Sequence, residues 1–334
     1  MRLDPEAYDE TNVRIRPRSG SRPRTKRRPA HRDAVAGQVL AVARGRYLVR
    51  MGGLLGPGPE VAAIRARELH RTSIVVGDRV SVEGDLSGAE GALARIVRLE
   101  PRSSILRRSG DDQDLQERIV VANAEVLLIV CAAADPLPRP GFVDRCVIAA
   151  IDGGIDPRLV ISKTDLDAAE PLAAHAQRLG VPVYRVSRTD ADGFEALRSS
   201  LSGHVCALVG HSGVGKSTLV NRLIPEAKRD TGHVNEVTGR GRHTSSSARA
   251  HAWTAGEEHG WVIDTPGVRS FGLGHVEAAP FALAWSGRAG EELASLPPEQ
   301  RPEAAEAVEE PLLRARLQAL IPLLSLIESP GKRD

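Results

Sequence analysis

The stretch GHSGVGKST, residues 210–218, constrains the fold most. It matches the pattern GxxxxGKS between an apolar segment and a helical one, a junction that binds phosphate groups. Gly213 and Gly215 leave backbone N–H groups free to converge on phosphate oxygens, Lys216 places its ammonium between the outer phosphates, and the Ser217 hydroxyl completes a Mg²⁺ shell. The predicted nucleotide-contacting residues here are Gly210, His211, Ser212, Gly213, Val214, Gly215, Lys216, Ser217 and Thr218.

A second motif, DTPG at residues 264–267, ends an apolar segment. Asp264 at a strand end holds Mg²⁺ through water, and the Gly267 N–H meets a γ-phosphate. Between the two motifs, GRGRHTSSS predicts a switch segment in which Thr244 or Ser245 ligates Mg²⁺ only while the γ-phosphate is present; a plain flexible linker is the alternative. The predicted metal ligands are therefore Ser217, Thr244 and Asp264.

A purine-binding loop is indicated by SKTD, which follows the apolar segment RLVI. Asp165 accepts hydrogen bonds from N1–H and N2–H of guanine, a donor pair that adenine does not present, and Lys163 stacks its stem along the base. Ser187, at the end of the next strand, belongs to a second purine-binding loop. The predicted purine-contacting residues are Ser162, Lys163, Thr164, Asp165 and Ser187.

The order of these loops is unusual, because both purine-binding loops precede the phosphate-binding loop. In a typical small GTPase the phosphate-binding loop comes first. The sequence therefore predicts a circular permutation, which a sheet tolerates because domain termini lie close together on the surface.

Residues 107–274 alternate predicted strands with helices, which favours an α/β fold with a mostly parallel sheet. The nearly continuous apolar run in EVLLIVCAA is typical of a strand that is buried on both faces.

Ahead of it, residues 35–106 contain short alternating strands broken by glycine, which predict a small barrel like the oligonucleotide-binding (OB) fold. Its arginines favour contact with RNA, and a barrel that serves only as a spacer is the alternative. These arginines are Arg44, Arg46, Arg50, Arg65, Arg67 and Arg71.

The two ends of the chain differ in charge. Residues 1–34 form a predicted disordered tail, with nine Arg or Lys and no acid between Arg14 and Arg32. It is either a solvated tail or an arm along RNA phosphates. The acidic residues 275–334 predict a helical segment whose apolar stripe packs on the preceding domain: Leu313, Leu317, Leu320, Leu324 and Ile327.

The cysteines and the hydropathy of the sequence indicate the cellular compartment. The three cysteines form no CxxC pair, which indicates reduced core thiols. No apolar run approaches the roughly 18–20 residues of a membrane span, and no apolar signal core begins the chain. We expect a cytoplasmic, monomeric protein without membrane association.

Taken together, GHSGVGKST, GRGRHTSSS and DTPGVRSFGL, in this order behind a small barrel, resemble the RsgA family (also called YjeQ) of circularly permuted, ribosome small-subunit-dependent GTPases. The resemblance spans about Val35 to Leu273. It implies a cytoplasmic enzyme that binds GTP and GDP with Mg²⁺, hydrolyses GTP to GDP and phosphate, and binds the 30S subunit and its rRNA late in assembly. The ribosome is expected to stimulate its activity.

The chain departs from the family pattern within the nucleotide site. Ser162 stands where members usually have Asn, so we expect one contact to the purine O6/N7 edge to be shortened or lost. Ser245 and Ser246 replace two threonines of the switch motif. Val268 occupies the position where many GTPases keep a water-orienting Gln; His243 is our candidate for that role, and a solvated loop histidine is the alternative.

The C-terminal segment departs too. The family usually ends in a zinc-binding domain with cysteines and a histidine, whereas no cysteine follows Gly267 here and the one histidine is His275. We therefore expect no zinc, and any ribosome contact made through that domain to be absent or replaced by helices.

The sequence thus favours a GTPase acting in 30S maturation, with Lys216, Ser217, Asp264 and His243 as its catalytic residues. The alternative is an RNA-binding module in which a weakened site binds nucleotide only structurally.

Overall fold

The first five strands form a closed barrel in the computed structural model, which describes residues 31–43, 45–54, 58–108, 118–224, 248–265 and 271–329. The strands are β1 (Val35–Ala43), β2 (Arg46–Met51), β3 (Glu60–Arg65), β4 (Arg79–Gly84) and β5 (Ala94–Leu99). They lie in the order β1–β2–β3–β5–β4, and β4 pairs again with β1, which closes the sheet on itself. Alternate residues point inward and fill the barrel, which is the predicted OB-like element.

A two-stranded ladder follows the barrel. β6 (Ile105–Arg108) pairs antiparallel with β7 (Arg118–Ala122) and lies outside the barrel. The predicted end of the barrel domain, residue 106, falls inside β6.

A buried ion pair lies where this ladder meets the barrel. Arg102 donates from Nε and Nη2 to the Asp78 carboxylate at 2.7 and 2.9 Å, and the Asp78 side chain is fully buried. The neighbouring Gly77 has φ +89°, and a Cβ there would come within 1.9 Å of the Ala122 carbonyl oxygen. The turn at Gly77 and Asp78, which precedes β4, therefore joins the barrel to the residues beyond it.

The α/β domain contains a six-stranded sheet in the order β10–β9–β8–β11–β13–β12. Its strands are β8 (Val126–Ala132), β9 (Asp156–Ser162), β10 (Val183–Val186), β11 (Val205–Val209), β12 (Arg249–Ala255) and β13 (Glu258–Asp264). All neighbours are parallel except β12, which runs antiparallel to β13. This confirms the mostly parallel sheet, whereas β12 was not among the predicted strands.

Helices cover both faces of this sheet. They are α1 (Pro140–Asp152), α2 (Glu170–Arg178), α3 (Asp192–Ser200) and α4 (Lys216–Leu223). Residues of α1 and α2 join one apolar cluster, and residues of α3 and α4 join the other. β8 contributes alternate residues to both clusters, which explains why its sequence is continuously apolar.

Three helices end the described chain: α5 (Ala278–Ser295), α6 (Arg301–Glu306) and α7 (Pro311–Glu328). α5 is interrupted at Ser286 and Gly287, whereas α7 runs through Pro322. The predicted stripe on α7 is buried at Leu317, Leu320, Leu324 and Ile327 and half-buried at Leu313, and it joins the cluster that contains α1. The helical C-terminal segment and its packing are confirmed.

The barrel and the six-stranded sheet are also joined edge to edge. Ala41 of β1 pairs antiparallel with Arg249, the first residue of β12. The described residues from Asp33 onward belong to one compact unit. Among the helices of the described ranges, none is long and apolar enough to cross a membrane.

Candidate nucleotide-binding site

The phosphate-binding loop, residues 210–217, connects β11 to α4 at the carboxyl edge of the sheet. Gly213 and Gly215 have φ values of +83° and +94°, which disfavour any residue with a Cβ. Gly210 lies so close to β8 that a Cβ would come 2.4 Å from the Val130 carbonyl oxygen. Three glycines of the loop are therefore required by the backbone itself.

Lys216 begins α4, and its ammonium turns back over the loop. Nζ donates to the carbonyl oxygens of Gly210 at 2.7 Å and His211 at 2.9 Å. Burial lowers the pKa of Lys216, and the charge of Asp264 opposes that change. Ser217 and Thr218 follow on the first turn of α4, and their side chains are exposed. The Ser212 side chain, within the loop, is exposed as well.

Asp264 ends β13 beside this loop. Its register partner on the parallel strand β11 is Leu208, and Thr265 donates its hydroxyl to the Leu208 carbonyl, which fixes the end of the strand. Burial raises the pKa of Asp264, and the Lys216 ammonium opposes that rise. Ser217 and Asp264 thus offer oxygen donors at one edge of the sheet, a donor type that suits Mg²⁺.

The first purine-binding loop, residues 162–165, leaves the end of β9 at the same edge. Lys163 adopts a left-handed conformation with φ +58°, and its Nζ donates to the Asp135 carbonyl oxygen. The Thr164 N–H lies 3.5 Å from the Val186 carbonyl oxygen at the end of β10. The Asp165 side chain is exposed, and its contact with guanine stays a prediction.

Ser162 ends β9, and its contact with the purine stays a prediction. Its side chain is buried, and its hydroxyl donates to the Val214 carbonyl oxygen at 2.5 Å, with the Cys131 carbonyl oxygen 3.2 Å away. The hydroxyl therefore joins the purine-binding loop to the phosphate-binding loop.

Ser187 begins the second purine-binding loop, residues 187–190, after β10. Its hydroxyl oxygen accepts hydrogen bonds from the backbone N–H groups of Thr189 at 3.3 Å and Asp190 at 3.0 Å. The side chain thus stabilises its own turn, and its predicted contact with the purine stays a prediction.

One aromatic contact in the site was not predicted. The His211 ring lies 4.3 Å from the Phe142 ring of α1, and Phe142 lies 6.5 Å from Phe271. Burial lowers the pKa of His211, as do the charges of Arg139 and Lys216. Because His211 lies in the loop and Phe271 follows the DTPG segment, α1 connects the two motifs. No periodic pattern in the sequence indicated this contact.

Several predicted residues lie outside the described residues: Thr244, Ser245, Ser246, His243, Gly267 and Val268. Their predicted roles as metal ligand, γ-phosphate contact and water-orienting group stay predictions.

The prediction that zinc is absent also stays a prediction. In the ranges that the structure describes, no group of three or more His, Cys, Asp or Glu side chains is placed to hold a metal ion. The His275 side chain is almost fully buried and lies 3.9 Å from Asp152, measured from Nε2 to Oδ2.

The sheet order and the loops at its carboxyl edge define a P-loop GTPase fold in circularly permuted order. Two solved structures share it: YjeQ from Thermotoga maritima (TM-score 0.59, 19% identity, covering 90% of this chain and 100% of that one) and YloQ, a circularly permuted GTPase (TM-score 0.56, 17% identity, covering 91% and 99%).

Residues 99–274 match the family model described as RsgA GTPase, and this chain belongs to that family. A relative from Pseudomonas syringae pv. tomato is 40% identical over 62% of this chain and 59% of its own length. Another from Gemmatimonas aurantiaca is 39% identical over 66% and 73%. Both are named small ribosomal subunit biogenesis GTPase RsgA. The chain spans less than two thirds of the length of the first of these relatives.

Proposed function

We propose that this chain binds GTP with Mg²⁺, hydrolyses it to GDP and phosphate, and acts in late maturation of the 30S ribosomal subunit. The observation that carries the proposal is the meeting of Lys216, Ser217 and Asp264 with the SKTD loop at one edge of the sheet. A site that bound nucleotide only structurally would not need to keep both the lysine and the magnesium ligands.

In the proposed reaction, a water molecule attacks the γ-phosphorus of GTP and the bond to the β–γ bridging oxygen breaks. The backbone N–H groups of the phosphate-binding loop and the Lys216 ammonium hold the β- and γ-phosphates. Asp165 accepts the N1–H and N2–H of guanine, which fixes the other end of the substrate.

Ser217 and Asp264 would hold Mg²⁺, with Thr244 joining them in the triphosphate state. When bound, the ion neutralises the charge that develops on the phosphate oxygens. His243 remains our candidate for orienting the attacking water. We expect slow intrinsic turnover that rises when a partner orders the switch segment.

The role in ribosome assembly is supported by the names of the relatives and by the charge of the barrel. Arg46, Arg67 and Arg71 are exposed and free to contact rRNA phosphates. Arg50 lies over the Trp261 ring and pairs with Glu60, and Arg65 donates to the Thr72 carbonyl, so these two bind within the protein. A role in 30S assembly also implies a cytoplasmic protein.

The experiment that tests the proposal compares wild-type protein with the Lys216→Ala variant in GTP hydrolysis, with and without 30S subunits. We expect wild-type hydrolysis to rise with 30S subunits and the variant to lose it. Arg288→Ala removes an equal charge at a side chain that is 88% exposed and serves as the control. A passive RNA-binding module would leave all three proteins alike, with no turnover.

Co-sedimentation tests the partner separately. We expect the protein to pellet with 30S subunits in a non-hydrolysable GTP analogue and to remain in the supernatant with GDP. Equal pelleting in both nucleotides would contradict nucleotide control of subunit association.

A further inference from the structure

The end of α4 holds the second purine-binding loop through one side chain, Arg222. Its Nη1 donates to the Ser187 carbonyl oxygen at 2.8 Å, and its Nη2 donates to the Asp190 carbonyl oxygen at 2.9 Å. Arg222 is six residues after Lys216 on the same helix. α4 therefore begins at Lys216 in the phosphate-binding loop, and near its end it contacts the second purine-binding loop.

The guanidinium is itself fixed in place. Its carbon lies 4.0 Å from the centroid of the Phe194 ring, and Phe194 is buried on α3. A planar cation stacked on a ring and donating to two carbonyl oxygens has little freedom to move.

The loop has its own hydrogen bonds, but they are local. Ser187 accepts from Asp190 N–H, and Asp190 Oδ1 accepts from the Gly193 N–H at 3.0 Å. These bonds set the shape of the turn and tie it to the start of α3. The bonds from Arg222 set where that turn lies relative to α4.

We propose that Arg222 is a positioning residue that sets the preference of this site for 6-oxo purines. The inference rests on the proposed function. It requires that backbone N–H groups of residues 187–190 donate hydrogen bonds to O6 of guanine. A loop held in its bound position costs less to order when the base binds, so the affinity gained from the O6 contact depends on Arg222.

The test measures the binding of GDP, IDP and ADP to wild-type protein and to Arg222→Met by competition with a fluorescent GDP. GDP and IDP both carry O6, whereas ADP carries a 6-amino group. We expect the variant to bind GDP and IDP about three- to tenfold more weakly, the loss of about one hydrogen bond, with the ratio between them unchanged. ADP affinity should not fall, so the preference for GDP over ADP narrows.

The kinetics supply a second readout. Lys216, Ser217 and Asp264 are untouched, so we expect kcat for GTP to be unchanged and KM to rise by the same factor as the GDP dissociation constant. With slow turnover KM follows the dissociation constant. A merely structural defect would reduce the fraction of active protein and leave the base preference as it was.

Arg222→Lys keeps the positive charge and changes the fold less than Arg222→Met does. An ammonium lacks the planar fork, so we expect a loss intermediate between wild type and Arg222→Met. Arg288→Met is the matched control for the loss of one arginine. Should either Arg222 variant bind all three nucleotides as the wild type does, the positioning role is overturned. Should wild-type protein fail to bind GDP at all, the proposed function itself is overturned.

Discussion

A single hydroxyl joins the two halves of the nucleotide site. Ser162 ends β9 and donates to the Val214 carbonyl oxygen in the phosphate-binding loop. Because the carbonyl is buried, losing this donor leaves a polar group without compensation from water. We therefore expect Ser162 to support nucleotide binding by fixing the distance between the two loops.

We expect Ser162→Ala to lower the free energy of unfolding by about 1 kcal/mol and to weaken GDP binding by a comparable amount. Urea unfolding and calorimetric titration measure the two effects. Ser325→Ala, which removes a hydroxyl on α7 away from the site, is the control. GDP affinity equal to that of the wild type would show that the hydroxyl has no part in the site.

The reactivity of the three cysteines tests whether the core beneath the candidate nucleotide-binding site is closed to solvent. All are free and buried, as the sequence predicted. Burial raises the pKa of Cys131 and of Cys206 to about 12 and that of Cys146 well above its usual value. Since the thiolate is the reactive form, the native thiols should be inert.

With 5,5′-dithiobis(2-nitrobenzoic acid) at pH 8, we expect no rapid reaction in the native protein and reaction of three thiols in guanidinium chloride. Nucleotide should make little difference to the native result, because the thiols lie beneath the loops and not in them. Fast labelling of one native thiol would mean that β8, β11 or α1 is more open than described.

At the scale of elements, the C-terminal helices are held by a buried arginine. Arg301 on α6 donates to both carboxylate oxygens of Glu328 at 2.8 and 2.6 Å and to the carbonyl oxygens of Leu296 and Ala294. Its side chain is 4% exposed and that of Glu328 is 31% exposed. Removing Glu328 therefore leaves a buried cation, whereas removing Arg301 leaves a partly exposed carboxylate.

We expect Glu328→Ala to destabilise the fold by about 3–5 kcal/mol, because it leaves a buried cation uncompensated. Arg301→Met should cost less, because the carboxylate that remains can reach water. Denaturant unfolding of both variants measures the order. The reverse order would mean that the carbonyl contacts of Arg301, and not its charge pair, hold the helices.

Elements were predictable where a local pattern sets them. The alternation of the barrel strands, the apolar run of β8 and the stripe on α7 each follow from which residues are buried. β12 was missed because its sequence, RAHAWTA, mixes buried and exposed residues at a sheet edge, so no clear period results. The hydrogen bond from Ser162 to Val214 was not predicted, because a tetrapeptide gives the residue but not the direction of its side chain.

At the scale of the whole molecule, the barrel and the α/β domain are joined by contacts between distant parts of the chain. Ala41 pairs with Arg249, and the Ala122 N–H donates to the Val76 carbonyl oxygen beside the Asp78–Arg102 ion pair. Such pairs depend on how the domains pack, so no local pattern predicts them.

We expect Arg102→Met to destabilise the protein by about 3–5 kcal/mol, because the fully buried Asp78 loses its partner. Arg98→Met is the control: Arg98 is 55% exposed and pairs with Glu100 at the surface, which contributes about 0–1 kcal/mol. Urea unfolding measures both. Equal small effects would mean that the joint between the barrel and the domain does not depend on this ion pair.

We propose above that this chain binds guanine nucleotide with magnesium at a site built from loops in permuted order. Isothermal titration of GDP and of a non-hydrolysable GTP analogue, in Mg²⁺, tests it most directly. We expect one nucleotide to bind per chain in both titrations, and the adenine counterparts to bind much more weakly. An absence of binding heat for guanine nucleotides across temperatures, with folded protein and magnesium present, would contradict it.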